Sequence, residues 1–147
     1  DLVELGVRRA VRVGTCVAIE PEPAPGDLLS VVEAHAWGGG GAGAAILPDA
    51  TLTARLRREL GRAARPAVVA SLDVPHRGGD AAAPYAERVD AADMQTAALL
   101  AGAEDLGVAI AAVLIVAESA GGDQADDELI EAAAKLGGGA AAATLRG

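Results

Sequence analysis

Val108-Ala109-Ile110-Ala111-Ala112-Val113-Leu114-Ile115-Val116 is the stretch on which the fold turns. It is continuous, carries no charge and contains several β-branched residues, with Gly107 before it and Glu118 soon after. A bilayer span needs about 20 apolar residues, so this run is too short to cross a membrane. Its length and β-branching suit a strand at the centre of a sheet covered on both faces. Just upstream, residues 94–106 have helical spacing and stop at Gly107, and residues 89–92 read as a short strand. Downstream, residues 125–136 predict a last helix, which the glycines at 137–139 should break before Ala140.

Farther out the alternation continues. Residues 68–74 predict a strand, and 75–84 a loop. Asp49 is placed to cap a helix with the stripe Leu52, Leu56 and Leu60, ended by Pro66. Residues 28–36 and 10–19 predict two more strands, separated by a surface turn at Pro21, Pro23, Pro25 and Gly26. The glycines at 38–41 predict no regular structure, and residues 1–6 resemble a helix end closing on Gly6. Strands alternating with helices give the α/β class, with a mixed, largely parallel sheet flanked by helices. At 147 residues, one domain over 1–147 is expected. Ligands of such sheets gather beyond the carboxyl ends of strands, here 14–16, 71–73 and 117–119.

Composition narrows the partners. The chain is 52% hydrophobic but has no Phe, one Trp and one Tyr, so its core must be built from Ala, Val, Leu and Ile. A net charge of −9 repels nucleic acid and anionic membranes, and neither is expected as a partner. An anion can bind only where a local cation outweighs that field. Cys16 is the sole cysteine, which excludes an intrachain disulfide and fits a reducing compartment. No stretch has the charged start and apolar middle of a signal peptide, so a cytoplasmic protein is expected. One Cys and two distant histidines, His35 and His76, offer no zinc-ligand spacing, and no metal is expected. No Ser lies in a Gly-x-Ser-x-Gly elbow, which argues against a triad hydrolase. The acids Asp123, Asp126, Asp127 and Glu128 read as a charged helix start favoured by the helix dipole.

Four segments in order carry a family pattern: Arg12-Val13-Gly14-Thr15-Cys16, Pro25-Gly26-Asp27-Leu28-Leu29, residues 89–99 with Asp93-Met94-Gln95 at their centre, and residues 113–118 ending in Ala117-Glu118. Together the chain resembles the nucleoside phosphorylases, including uridine phosphorylase and the hexameric purine enzymes. The resemblance implies a pentosyltransferase in which phosphate attacks the anomeric carbon of a nucleoside and the base leaves. Phosphate is then a co-substrate, no cofactor is needed, and a homo-oligomer is expected.

The same resemblance distributes roles. Arg12, Gly14 and Thr15 match the family's phosphate-binding arginine, glycine and Ser/Thr, a cation and donors suited to an anionic nucleophile. The alternative is that Arg12 pairs with a carboxylate and Gly14 permits a tight turn. Met94 and Gln95 fall where a Met packs on the sugar and a Glu accepts from ribose hydroxyls. Gln95 keeps one acceptor oxygen and presents an amide NH₂ in place of the other. Glu118 falls where purine-specific members protonate the leaving base. Cys16, Val17 and His76 fall at base-facing positions.

Several positions depart from the pattern. Val17 replaces a glycine that lets backbone approach the base, and Pro75 replaces a stacking aromatic, leaving Tyr85 and Trp37 as the other candidate platforms. The family's glycine-rich phosphate loop, its second phosphate-binding arginine and its first strands have no counterpart in this sequence. A sheet edge left open by their absence would need covering by oligomerisation. A second reading, from a different class, follows: a degenerate member that binds a nucleotide or a partner protein, or only assembles, without catalysis.

Overall fold

The computed structural model describes residues 3–38, 41–72 and 89–147. Among these residues six strands and three α-helices follow one another: β1 (Arg9–Ala18), β2 (Leu28–Gly38), β3 (Gly41–Ile46), α1 (Ala50–Leu60), β4 (Ala64–Leu72), β5 (Ala91–Asp93), α2 (Thr96–Leu106), β6 (Ala109–Glu118) and α3 (Asp127–Arg146). The expected α/β class holds. The sheet is mixed, ordered β3-β2-β4-β5-β1-β6, and its longest pairings, β1 with β6 and β2 with β4, are parallel.

The sheet also curls back on itself. Leu28 pairs with Ala64 of β4 on one side and with Ile115 of β6 on the other. Through residues 28–30, β2 therefore joins β6 and closes a barrel-like ring of five strands, with β3 hanging on β2 as an antiparallel flap. The run that decides the fold is central, as its sequence requires. Ala112, Leu114 and Val116 face one buried cluster, with Cys16, Leu29, Val31, Val69 and Leu100. Ala111, Val113 and Ile115 face another, with Leu52, Leu56 and Leu60 of α1 and Ala133 and Ala140 of α3. This is the period-2 alternation of a strand buried on both sides.

Local expectations fare unevenly. Asp49 caps α1 as predicted, its side chain accepting from the Leu52 N–H at 2.7 Å. Pro66 does not end that helix. Gly61, at φ +55°, closes it, and Pro66 lies inside β4 opposite Ser30. A strand tolerates proline there because β5 reaches β4 only at Val69–Ser71, so the Pro66 level needs no donor on that side. The flap β3 was unforeseen, since a glycine- and alanine-rich segment has little strand propensity and forms one here by pairing with β2. Residues 3–6 form a turn, with the Gly6 N–H donating to Val3 O at 2.9 Å.

The largest correction concerns α3. It runs unbroken through 137–139 to Arg146. Ala133, Gly137, Ala140, Ala141 and Thr144 form a buried stripe of small residues at helical spacing, and Gly137 rests on the side chains of Val13, Leu28 and Val113. Burial of that stripe outweighs an intrinsic cost of roughly 1 kcal/mol per glycine. The acidic helix start is as expected: Asp126 caps α3 through the Leu129 N–H at 2.8 Å, and Asp127 and Glu128 fill its first turn.

Candidate functional site

The carboxyl end of β5 runs directly into α2, and side chains from two other places converge on that junction. Arg12 comes from the middle of β1 and Ser71 from the end of β4, while Asp93, Gln95 and Thr96 belong to the junction itself. All three guanidinium nitrogens of Arg12 are engaged. Nε donates to Thr96 Oγ1 at 3.1 Å, Nη1 to Gln95 Oε1 at 2.9 Å, and Nη2 to Asp93 Oδ2 at 3.2 Å. The Asp93 side chain is fully buried, whereas that of Arg12 keeps 16% exposure.

Asp93 is the hub. Its Oδ1 accepts the Ser71 hydroxyl at 2.5 Å, and its Oδ2 accepts the Thr96 hydroxyl at 2.5 Å as well as the Arg12 guanidinium. The Thr96 N–H also points at both carboxylate oxygens, 3.1 and 3.3 Å away. Ser71 in turn accepts the Ala97 N–H at 2.8 Å. Two of the unpaired amides at the start of α2 are thus satisfied by the cluster, and the carboxylate lies at the positive end of the helix dipole. A buried charge survives only when paired and hydrogen-bonded to this degree.

Gly14 serves this cluster in an unexpected way. It lies in extended strand, not in a turn. A Cβ placed there would come within 2.7 Å of Arg12 Nη2 and 2.8 Å of its Cζ. The glycine therefore makes room for the guanidinium to fold back along its own strand. The carboxylate partner weighed for Arg12 is found, and the tight turn weighed for Gly14 is not.

The other candidate residues are dispersed. Strand alternation puts Thr15 with Val13 and Val17 on the sheet face opposite Arg12, and its side chain is exposed. Cys16 shares the Arg12 face but is buried at 4% exposure, its thiol 3.6 Å from Ile115 O. Burial, reinforced by the Asp93 charge and opposed by Arg12, pushes this thiol up to about 12, so it stays protonated at neutral pH. Met94 projects into solvent beside Gln95, which is exposed too. Glu118 ends β6, in register with Val17 across a β-bulge, and its carboxylate accepts from the Gln124 amide at 3.5 Å. Val17 is itself 42% exposed at that strand end. Trp37 packs against the buried pair Ala70 and Val89. His76, with Pro75 and Tyr85, lies outside the described residues.

The sequence gives Asp93 and Thr96 no role, and Ser71 enters only as part of the strand end at 71–73. A local signal existed only for Asp93, an acid three residues ahead of a helix's first turn. Among the described residues, no group of three or more His, Cys, Asp or Glu side chains could hold a metal, and no helix is long and apolar enough to cross a membrane. A cleft of about 590 Å³ opens at the opposite end of β6, between the β3–α1 connection and the end of α2, away from this cluster.

A curled mixed sheet flanked by helices places the chain in the α/β class. More narrowly, the phosphorylase superfamily model matches residues 2–147, and the chain belongs to that family. No curated protein matches it in sequence. Among solved structures, purine nucleoside phosphorylase from Toxoplasma gondii superposes with a TM-score of 0.83 at 18% identity, covering 99% of this chain and 68% of that one. Futalosine hydrolase from Helicobacter pylori gives 0.82 at 14% identity, covering 99% and 71%. The 5′-methylthioadenosine/S-adenosyl homocysteine nucleosidase of Campylobacter jejuni gives 0.78 at 19% identity, covering 97% and 69%. At these identities the likeness is one of fold.

Proposed function

We propose that the chain cleaves the N-glycosidic bond of a nucleoside with phosphate, as a nucleoside phosphorylase-type pentosyltransferase. One observation carries this reading. Arg12, matched to the phosphate arginine, donates at 2.9 Å to Gln95, matched to the ribose carboxylate, although 83 positions separate them. Phosphorolysis needs that adjacency, because the nucleophile must reach the anomeric carbon of the sugar bound next to it. In the proposed step a phosphate oxygen attacks C1′, the C1′–N bond breaks, and its electron pair leaves with the base. Arg12 meets the phosphate with its uncommitted N–H donors, Met94 and Gln95 hold the sugar, and Glu118 gives a proton to the departing base. Thr15 would contribute through its backbone N–H, since its hydroxyl points to the other face.

The test is release of free base from inosine, adenosine and uridine with and without phosphate. Release that requires phosphate and is lost in Arg12→Ala supports the proposal. Release indifferent to phosphate replaces it with hydrolysis, the chemistry in the names of two of the similar structures. A second reading, a binding or assembly module without catalysis, is favoured by the Arg12–Asp93 pair, which already satisfies the cation. A folded protein that binds nucleoside but releases no base under any condition would establish it. A homo-oligomer remains part of the proposal. Among the described residues β5 covers β1 only at Val17 and Ala18, which leaves most of that strand edge for a second copy. Sedimentation velocity measures it.

A further inference from the structure

We infer that Asp93 is the positioning residue that sets the anion affinity of this site, by holding the Arg12 guanidinium in an ion pair. The inference rests on the proposal that Arg12 receives the anion, and it concerns how strongly.

A guanidinium has five N–H donors, and here three are committed, to Thr96, Gln95 and Asp93. The remaining two, on the Nη atoms, are what a ligand can meet. Every neighbour of Asp93 is a donor: two hydroxyls, one backbone amide and the guanidinium. The carboxylate thus acts only as acceptor, which is the ionised form. The pair sums to zero charge, so an incoming dianion meets donors but no net cation, inside a chain of net charge −9. Gly14 fixes the arrangement by letting the guanidinium lie flat on β1, within reach of Asp93. Gln95 completes the balance, since its neutral amide occupies Nη1 where a second carboxylate would make the cluster net negative.

The experiment is a calorimetric titration of the whole chain with inorganic phosphate, repeated on Asp93→Asn and Gln95→Glu. Asp93→Asn keeps the shape but removes the charge. Its phosphate Kd is expected to fall about tenfold or more, in line with the weight of desolvated charge pairs. Nucleoside affinity without phosphate should change less than about threefold, and adding Arg12→Ala should erase the gain. A purely structural Asp93 would lower stability and leave the Kd of the folded protein unchanged, which overturns the inference. Gln95 is exposed, so Gln95→Glu does not threaten the fold and decides the matter if Asp93→Asn does not fold. Its Kd should rise about tenfold, and an unchanged value overturns the inference. Phosphate bound by none of the folded proteins instead overturns the anion reading of Arg12, and the inference with it.

Discussion

Asp93 and Asp126 each accept a backbone N–H at the start of a helix, Asp126 as the N-cap of α3 and Asp93 from two residues ahead of Gln95, the N-cap of α2. Each accepts the backbone N–H three residues on, Asp93 from Thr96 at 3.1 Å and Asp126 from Leu129 at 2.8 Å. Asp126 is exposed and has no further role among the described contacts, whereas Asp93 is buried and also holds Arg12, Ser71 and the Thr96 hydroxyl. A carboxylate at a helix start is thus a local cap in α3 and the hub of a tertiary site at α2. Burial makes the difference, because a shielded carboxylate must collect donors from wherever the fold supplies them.

Removing the two carboxylates therefore has very different consequences. Asp93→Ala strands the Arg12 charge in a largely buried position and should cost about 3–5 kcal/mol, measured by denaturant unfolding. An effect near that of an ordinary cap would break the comparison. Gly14→Ala attacks the same hub from the other side, by driving a methyl group into the guanidinium 2.7 Å away. It should destabilise by about 1–3 kcal/mol. It should also weaken phosphate binding, which separates a displaced Arg12 from simple crowding.

What the sequence discloses follows the range of the interactions. The buried strand at 108–116, the cap at Asp49 and the acidic start of α3 are local patterns, and each forms where it is read. The Arg12 partner needed residues 81 positions away, and Ser71 contacts Asp93 across 22. No local pattern announces such distances. Gly14 was legible as a glycine that matters, but its reason, space for a side chain two residues earlier on the same strand, appears only with the guanidinium in place. Thr15 was grouped with Arg12 by motif alone, and the pleat of β1 separates their side chains. Val17 and Glu118 lie in register near the ends of neighbouring strands.

Cys16 offers a gentler probe of the buried side, since its thiol feels the Asp93 charge without bonding to it. Its folded value of about 12 lies above the ordinary 9.0. A raised folded value means the contribution to stability is complete below pH 9 and disappears as pH climbs towards 12. By pH 10 the loss should be on the order of 1 kcal/mol. Melting curves of wild type and Cys16→Ala across pH 8–11 should therefore converge as pH rises, and parallel curves would mean the thiol is not shielded. On the exposed side, Asp126→Ala should cost about 1 kcal/mol, the value of a lone helix cap. A loss comparable to that of Asp93→Ala would show that α3 also depends on a hidden partner.

The smallest effect comes from the glycines that sequence reading took for a helix breaker. Gly138 and Gly139 lie within α3, and a Cβ on either would meet nothing within 4 Å. Their only contribution to the helix is then backbone freedom in the unfolded chain, so Gly138→Ala and Gly139→Ala should each stabilise by about 0.5–1 kcal/mol. Gly137 is different, since its Cβ would touch Val13 Cγ1 at 3.5 Å, an ordinary contact that adds little room for gain or loss beyond propensity. Equal gains at all three positions in thermal unfolding would mean that α3 stays whole through its buried alanine stripe, with no special fit at Gly137. A loss at Gly137 alone would locate a close approach of α3 to β1, and would tie this otherwise local helix to the strand that carries Arg12.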